Sequence, residues 1–325
     1  MKKIDKSVKN KNHPERYNSF NKHLREEFGE KVYKIPIDSH LPCPNKDGKI
    51  STEGCIFCDK YGSGPIKTGR LKIEEQIEIG IERIGKKYNV KKFIAYFQAN
   101  TNTAASPDRL RTIFEKALKY KQIVGISIGT RPDWIFKNHF RILEELNDRT
   151  YLWVELGLQT IHYEGLKFLR RHHYLSDFVK TFSELKKRGI RTCVHTIIGI
   201  PGENREYIID TARFLSAMEI DGVKIHLLHI LKNTVLEKYY MEKKIRLLSP
   251  KEYISLVIDF LEHLSPNIIV QRLTGERDRE IFIAPEWALN KLDIINQIKT
   301  ELEKRDSYQG KKLVFSSDIK YPFKK

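Results

Sequence analysis

The feature that most constrains this fold is a regular alternation of β-prone and helix-periodic segments, repeated about six times along the chain. Strands are predicted at residues 31–37, Lys92–Phe97, 123–128, 152–156, 190–200 and 222–228, where short apolar or alternating runs are bounded by Gly, Pro or Asn. Between them, residues 71–88, 107–120, 133–146, 175–188 and 204–218 carry apolar residues at helical spacing. Ser106 with Pro107 and the terminal Gly189 supply start and stop signals. Further helices fit 250–264 and 285–304, with one more β-prone run at 268–273. Such alternation argues for a parallel sheet with right-handed crossovers. Closed barrels, nearly closed barrels and open doubly wound sheets all share it. No Gly-rich dinucleotide fingerprint follows the first strand, which counts against the open sheet. The expectation is an α/β protein, a partial (β/α)6 TIM-like barrel at residues 31–275. A basic segment, 1–30, precedes it, and an extension, 276–325, packs on it.

The chain has 325 residues and a net charge of +17, from 59 Lys and Arg against 42 Asp and Glu. That surplus favours a polyanionic partner such as nucleic acid, with a merely solvated Lys-rich surface as the alternative. No stretch of about 18 uncharged apolar residues is present, which argues against a membrane span. The basic N-terminus lacks an apolar signal core, so the expected compartment is the cytoplasm.

Three of the four cysteines, Cys43, Cys55 and Cys58, fall within sixteen residues, in a loop at 38–70 directly after the first strand. A cytosolic chain gains little from structural disulfides, so a tight trio reads as metal chemistry. Two readings stand. Three thiolates on a four-iron cluster leave one iron free to bind S-adenosylmethionine (SAM) and pass one electron to its sulfonium. Alternatively, His40 completes a Cys3His zinc site in an RNA-binding protein. The position of the trio, at the carboxyl end of the first strand, is where barrel active sites lie.

The stretches RYNSFNKHLREEFGEKVYKIPID, CPNKDG and GCIFCDKYGSG are followed by YFQANTNT, SIGTRPDW, ELGLQT, HTIIGIPGE, RLTGERDR and APEW. In this order they resemble the YhcC/YtqA (MnmL-like) branch of radical SAM proteins over nearly the whole chain. The first cysteine spacing is longer than the common C-x3-C-x2-C pattern of that superfamily. The resemblance implies a [4Fe–4S] cluster on Cys43, Cys55 and Cys58, and SAM as cosubstrate. It also implies a flavodoxin or ferredoxin as electron donor, and a tRNA whose wobble uridine carries a carboxymethylaminomethyl arm to be shortened to the aminomethyl form. A radical SAM enzyme acting on a protein or metabolite is the alternative.

On the same footing, Gln98, Asn100 and Asn102 are expected near the amino group of SAM, and Glu155 and Gln159 near its ribose or methionine part. Arg171, with His173 two residues on, is expected at the methionine carboxylate, and the backbone at Ile198 and Gly199 near adenine. Each has a plainer reading: a capped loop, a barrel salt bridge, a helix end decorated with cations, and a tight turn. Arg131 and Asp133 read as a substrate-side loop or an ion pair. Lys60, Lys67 and Arg70 are expected to meet phosphates at the rim. Cys193 reads as a small buried hydrophobe. His195, His226 and His229 lie near strand ends within reach of a substrate. With only Cys193 left over, a second iron–sulfur cluster is not expected.

Overall fold

The computed structural model describes residues 16–313. Nine strands are present there: β1 (Val32–Ile37), β2 (Lys92–Phe97), β3 (Ile123–Thr130), β4 (Tyr151–Gln159), β5 (Thr192–Ile198), β6 (Gly222–Leu227), β7 (Ile230–Leu231), β8 (Ile269–Arg272) and β9 (Phe282–Ala284). Seven form one sheet in the order β1-β2-β3-β4-β5-β6-β8. Every neighbouring pair in it is parallel. The sheet therefore holds one strand more than the six expected, because the 268–273 run joins its edge. β7 and β9 form a separate antiparallel pair too short to show in sequence periodicity.

Helices cover the outer face, and their apolar stripes dictate this. Helix Ile73–Tyr88 buries Ile73, Ile77 and Ile84, and helix Leu175–Lys187 buries Phe178, Phe182 and Leu185. The sheet's outward side chains, such as Ile35, Phe97, Ile126, Leu152, Val194 and Val223, join these stripes in one large core. Near-continuous burial along β3, β4 and β5 follows from covering a parallel sheet on both faces.

The inner face is different. Successive side chains alternate across a strand, so one parity of each strand faces the lumen. At the floor, Ile94, Trp153 and Cys193 pack with Leu24 from helix Phe20–Phe28. This helix is held by edge-to-face contact of Phe20 with Trp153, at 5.9 Å between centroids, and by His23 Nε2 at 2.6 Å from the Tyr151 hydroxyl. Ser19 bridges in parallel to Val270 of β8, and helix Phe20–Phe28 also touches β1. Residues 16–28, assigned from sequence to a separate basic segment, thus plug the bottom of the barrel between its two edge strands. The part of that segment before residue 16 lies outside the described residues.

The chain after β8 returns to the same place. Gln309 accepts from the Asn18 backbone N–H at 2.8 Å and donates to the carbonyls of Ser265 and Ile268 at 2.6 and 2.9 Å. Helix Lys291–Lys304 packs on helix Pro250–Glu262. Among the described residues, no helix is long and apolar enough to cross a membrane.

Candidate active site

A cavity of about 200 Å³ opens at the carboxyl ends of the strands. Cys43, Cys55 and Cys58 line one side of it, none of them in a disulfide. The loop from 38 to 72 carries them there, anchored by Gln76, whose amide accepts from Asp38 N–H at 2.8 Å and donates to the carbonyls of Asp38 and Leu71. Gly62 and Gly64 let the loop approach the end of β2, since a Cβ on either would stand 2.0 Å from Asn100 Oδ1 or 2.7 Å from the Ala99 Cβ.

Each thiol has a polar neighbour. Asn45 Nδ2 and Arg171 Nη1 donate to Cys55 Sγ at 3.3 and 3.2 Å, and the Thr101 hydroxyl donates to Cys43 Sγ at 3.5 Å. Burial pushes the Cys55 thiol up, but Arg171 and Arg131 outweigh it and hold the group below its usual range. Cys58 is pushed up to about 11 by burial, against the pull of Lys46. Three free thiols, donors aimed at their sulfurs and an adjoining cavity fit an iron–sulfur cluster with three protein ligands. They do not form the zinc site considered above. The His40 ring turns away, its Nε2 at 3.0 Å from the Leu71 carbonyl.

The other expected residues divide. Gln98, Asn100, Glu155, Gln159 and Arg171 line the cavity, as do Arg131, His195, His226 and His229. Asn102 does not. Its amide ties together the carbonyls of Phe97, Ala99 and Gly129 at 2.8–3.0 Å and accepts from Ser39, so it braces the β2–β3 mouth. Ile198 and Gly199 are not in the lining either. Ile197 has the inward parity on β5, while Gly199 faces Leu248. Arg171 is fully engaged by Cys55, the Gly157 carbonyl at 2.8 Å and His173 Nε2 at 3.3 Å. Arg131 forks onto Asp133 at 2.9 and 2.8 Å, the ion pair of the plainer reading. Cys193 lies buried at the floor.

Glu155 is the centre of a buried polar layer. Lys34 Nζ donates to its carboxylate at 2.6 Å, His195 Nε2 lies 2.7 Å from it, and Lys224 Nζ donates to the same oxygen as His195. Burial alone would raise the Glu155 carboxyl, but Lys224 and Lys34 hold it well below its usual range. Burial in turn brings Lys224 down to about 7. Lys34, Tyr96, Lys224, Arg272 and Arg277 were not singled out from sequence. The available signal was strand parity: Lys34, Tyr96 and Lys224 share the inward phase with Glu155 and His195.

A parallel barrel with its polar groups gathered at the carboxyl ends, and three thiols beside them, is the scaffold of a cofactor-bearing barrel enzyme. Residues 48–215 match the Radical SAM superfamily and residues 220–304 the Radical_SAM C-terminal domain. YtqA of Bacillus subtilis is 44% identical over 301 residues, covering 92% of this chain and 94% of its own. YhcC of Escherichia coli K12 is 31% identical over 84% of this chain and 88% of its own. A protein of Dehalococcoides mccartyi named tRNA uridine(34) acetyltransferase is 25% identical over 55% of this chain and 38% of its own. Among solved structures, the archaeal Methanocaldococcus infernus Elp3 superposes with a TM-score of 0.63 at 17% identity, covering 86% of this chain and 64% of that one. Streptococcus suis SuiB bound to S-adenosylmethionine superposes with a TM-score of 0.50 at 16% identity, covering 78% and 53%. The chain belongs to the radical SAM superfamily, in the group that includes YtqA and YhcC. It is a radical SAM enzyme, and its cofactors are a [4Fe–4S] cluster and SAM.

Proposed function

We propose that the enzyme modifies tRNA at the wobble uridine, shortening a carboxymethylaminomethyl arm on 2-thiouridine to the aminomethyl form. Cys43, Cys55 and Cys58 would hold the cluster, with Gln98, Asn100, Gln159 and the backbone around Gly157 nearest to SAM. When bound, these cofactors supply one-electron chemistry able to take a hydrogen atom from an unactivated carbon. The protein's own part is to orient and to exclude water. Arg171 and Asn45 fix the Cys55 sulfur, and the Glu155 layer closes the floor. A flavodoxin or ferredoxin is the proposed donor of the electron.

The observation that carries the RNA assignment is the chemistry of the mouth. Lys60, two residues from Cys58, is exposed, as are Lys67 and Arg70, and none of the three has an ion pair among the described residues. Tyr163 and Tyr174 are 55% and 60% exposed, and their rings are nearly parallel, at 8° and 6.0 Å between centroids. They border a groove with Lys167, Arg170 and His172. Exposed aromatic faces among cations suit unpaired bases and phosphates. The name of the Dehalococcoides relative, tRNA uridine(34) acetyltransferase, points the same way.

Mass spectrometry of tRNA nucleosides tests this. A deletion strain is expected to accumulate carboxymethylaminomethyl-2-thiouridine and lose the shorter arm. Unchanged nucleosides would instead favour a protein or metabolite substrate. In vitro, replacing Lys60, Lys67 and Arg70 by alanine is expected to reduce the slope of log affinity against log salt by roughly 2, at about 0.7–0.9 per phosphate contact. A flat salt response of the unaltered enzyme would argue against tRNA.

A further inference from the structure

The cavity has a second polar wall on its β6–β8 side. It is made by His226 on β6, His229 just beyond it, Arg272 at the end of β8 and Arg277. These groups are buried or half-buried, and they are underused. His226 Nε2, His229 Nε2 and Arg277 Nε are buried with no hydrogen-bond partner among the described residues. His229 is only 8% exposed. The Arg272 side chain has neither a hydrogen bond nor an ion pair there. Buried polar groups left without partners are costly, and a cluster of them around a cavity marks where a ligand completes the bonding.

The sign of that ligand follows from the charges. Lys34, Lys224, Arg272 and Arg277 surround this half of the lumen. Glu155 is shared by both lysines, Asp59 is paired with Arg277, and Glu276, near Arg272, is paired with Lys291. With Lys34 and Lys224 tied to Glu155 and Arg277 to Asp59, the positive character of the wall rests on Arg272, whose guanidinium has no ion pair among the described residues. The histidines reinforce this as neutral donors. Burial, then Arg277 and Arg272, hold His229 at about 4, and burial with His195 and Arg272 keeps His226 well below its usual value. Two N–H-bearing rings and a guanidinium fork are the donor set for an oxyanion.

We propose that His226, His229, Arg272 and Arg277 form an anion subsite that receives a carboxylate of the substrate, on the β6–β8 side of the cavity. The inference rests on the tRNA reading above for the identity of the substrate, but not for the existence of the subsite. In that setting the carboxylate is the one at the end of the carboxymethylaminomethyl arm. The subsite would set substrate choice: a nucleoside already bearing the aminomethyl arm offers no anion to it.

Two measurements test this on the anaerobic, cofactor-loaded enzyme. The first compares two synthetic anticodon stem–loops that differ only in the arm, carboxymethylaminomethyl or aminomethyl. The unaltered enzyme is expected to prefer the carboxylate form by roughly 10–100-fold, the range for a charge-assisted bond to a buried group. Arg272→Gln is expected to abolish the preference while leaving SAM binding intact, and Arg272→Lys to restore part of it. Equal weakening of both RNAs would mean a backbone phosphate contact and would overturn the proposal, as would loss of SAM binding. The second measurement needs no RNA. Arginine modification by phenylglyoxal, mapped by mass spectrometry, is expected to slow at Arg272 in N-methylglycine, which reproduces the end of the arm, but not in methylamine at equal ionic strength. If N-methylglycine gives no protection, the subsite is refuted. If it protects while neither RNA binds, the subsite stands and the tRNA reading falls.

Discussion

Replacing Cys55 by alanine is expected to leave the enzyme unable to retain its cluster, with iron and sulfide after anaerobic reconstitution at least about tenfold lower and the brown absorption lost. On the proposed assignment three thiols would serve the cluster with none redundant, and loss of a ligand costs more than the 10–100-fold typical of losing a supporting bond. Cys55 is the most tightly held of the three, buried between Asn45 and Arg171. Cys43→Ala and Cys58→Ala are expected to behave alike. Two controls give the result its meaning. Cys193→Ala is expected to keep full iron, because its sulfur lies at the barrel floor with Trp153 and Leu24. His40→Ala is expected to keep it too, since that ring bonds the Leu71 carbonyl. Metal loss on changing His40 would revive the zinc reading. Full iron in any of the three cysteine variants would refute the cluster assignment.

Sequence periodicity located the six central strands and the major helices, because burial on both faces of a parallel sheet forces long apolar runs and amphipathic stripes. It failed where tertiary context decides. The β-prone run at 268–273 is β8, but its place at the edge of the sheet comes only from pairing with β6. β4 runs three residues past its predicted end, because Gly157 and Gln159 continue the inward phase at the mouth. Helix Phe20–Phe28 looked like part of a basic tail; Leu24 and Phe20 give it a barrel-facing side that single residues in a polar stretch do not announce. The site divides similarly. Cysteine spacing pointed to three residues that the fold brings to one side of the cavity. Ile198 is one residue out of phase with Ile197, and a strand's period of two makes that the difference between lumen and outer face, while Gly199 lies past the end of β5 and turns toward Leu248. Arg272 and Arg277 sat in the block RLTGERDR without any local signal, since only the fold brings them into the cavity that the cysteines line.

Glu155→Gln is expected to destabilise the protein by about 3–5 kcal/mol in mildly acidic buffer, the cost of removing one partner from a buried ion pair. The glutamine fits the space, so the loss is electrostatic. Lys34 and Lys224 would then share the lumen with no carboxylate, beside Arg272. The pH dependence has a definite sign. Lys224 in the intact protein titrates at about 7, lowered by burial while Glu155 pulls it up. Without that carboxylate its folded value falls further, and the unfolded value is unchanged. Below about pH 7 the variant must therefore either bury an uncompensated ammonium or give up a proton that the unfolded chain keeps. As pH rises through 7, Lys224 of the unaltered protein also becomes neutral, and this part of the deficit shrinks. Chemical denaturation at pH 6 and pH 8.5 measures both values. A second change, Lys224→Met in the Glu155→Gln background, is expected to recover much of the loss, because an apolar side chain of similar length needs no counter-ion. The same experiment separates two roles for Glu155. If its carboxylate instead served chiefly to hold the ribose of SAM, Glu155→Gln would keep its stability at both pH values and lose SAM affinity alone.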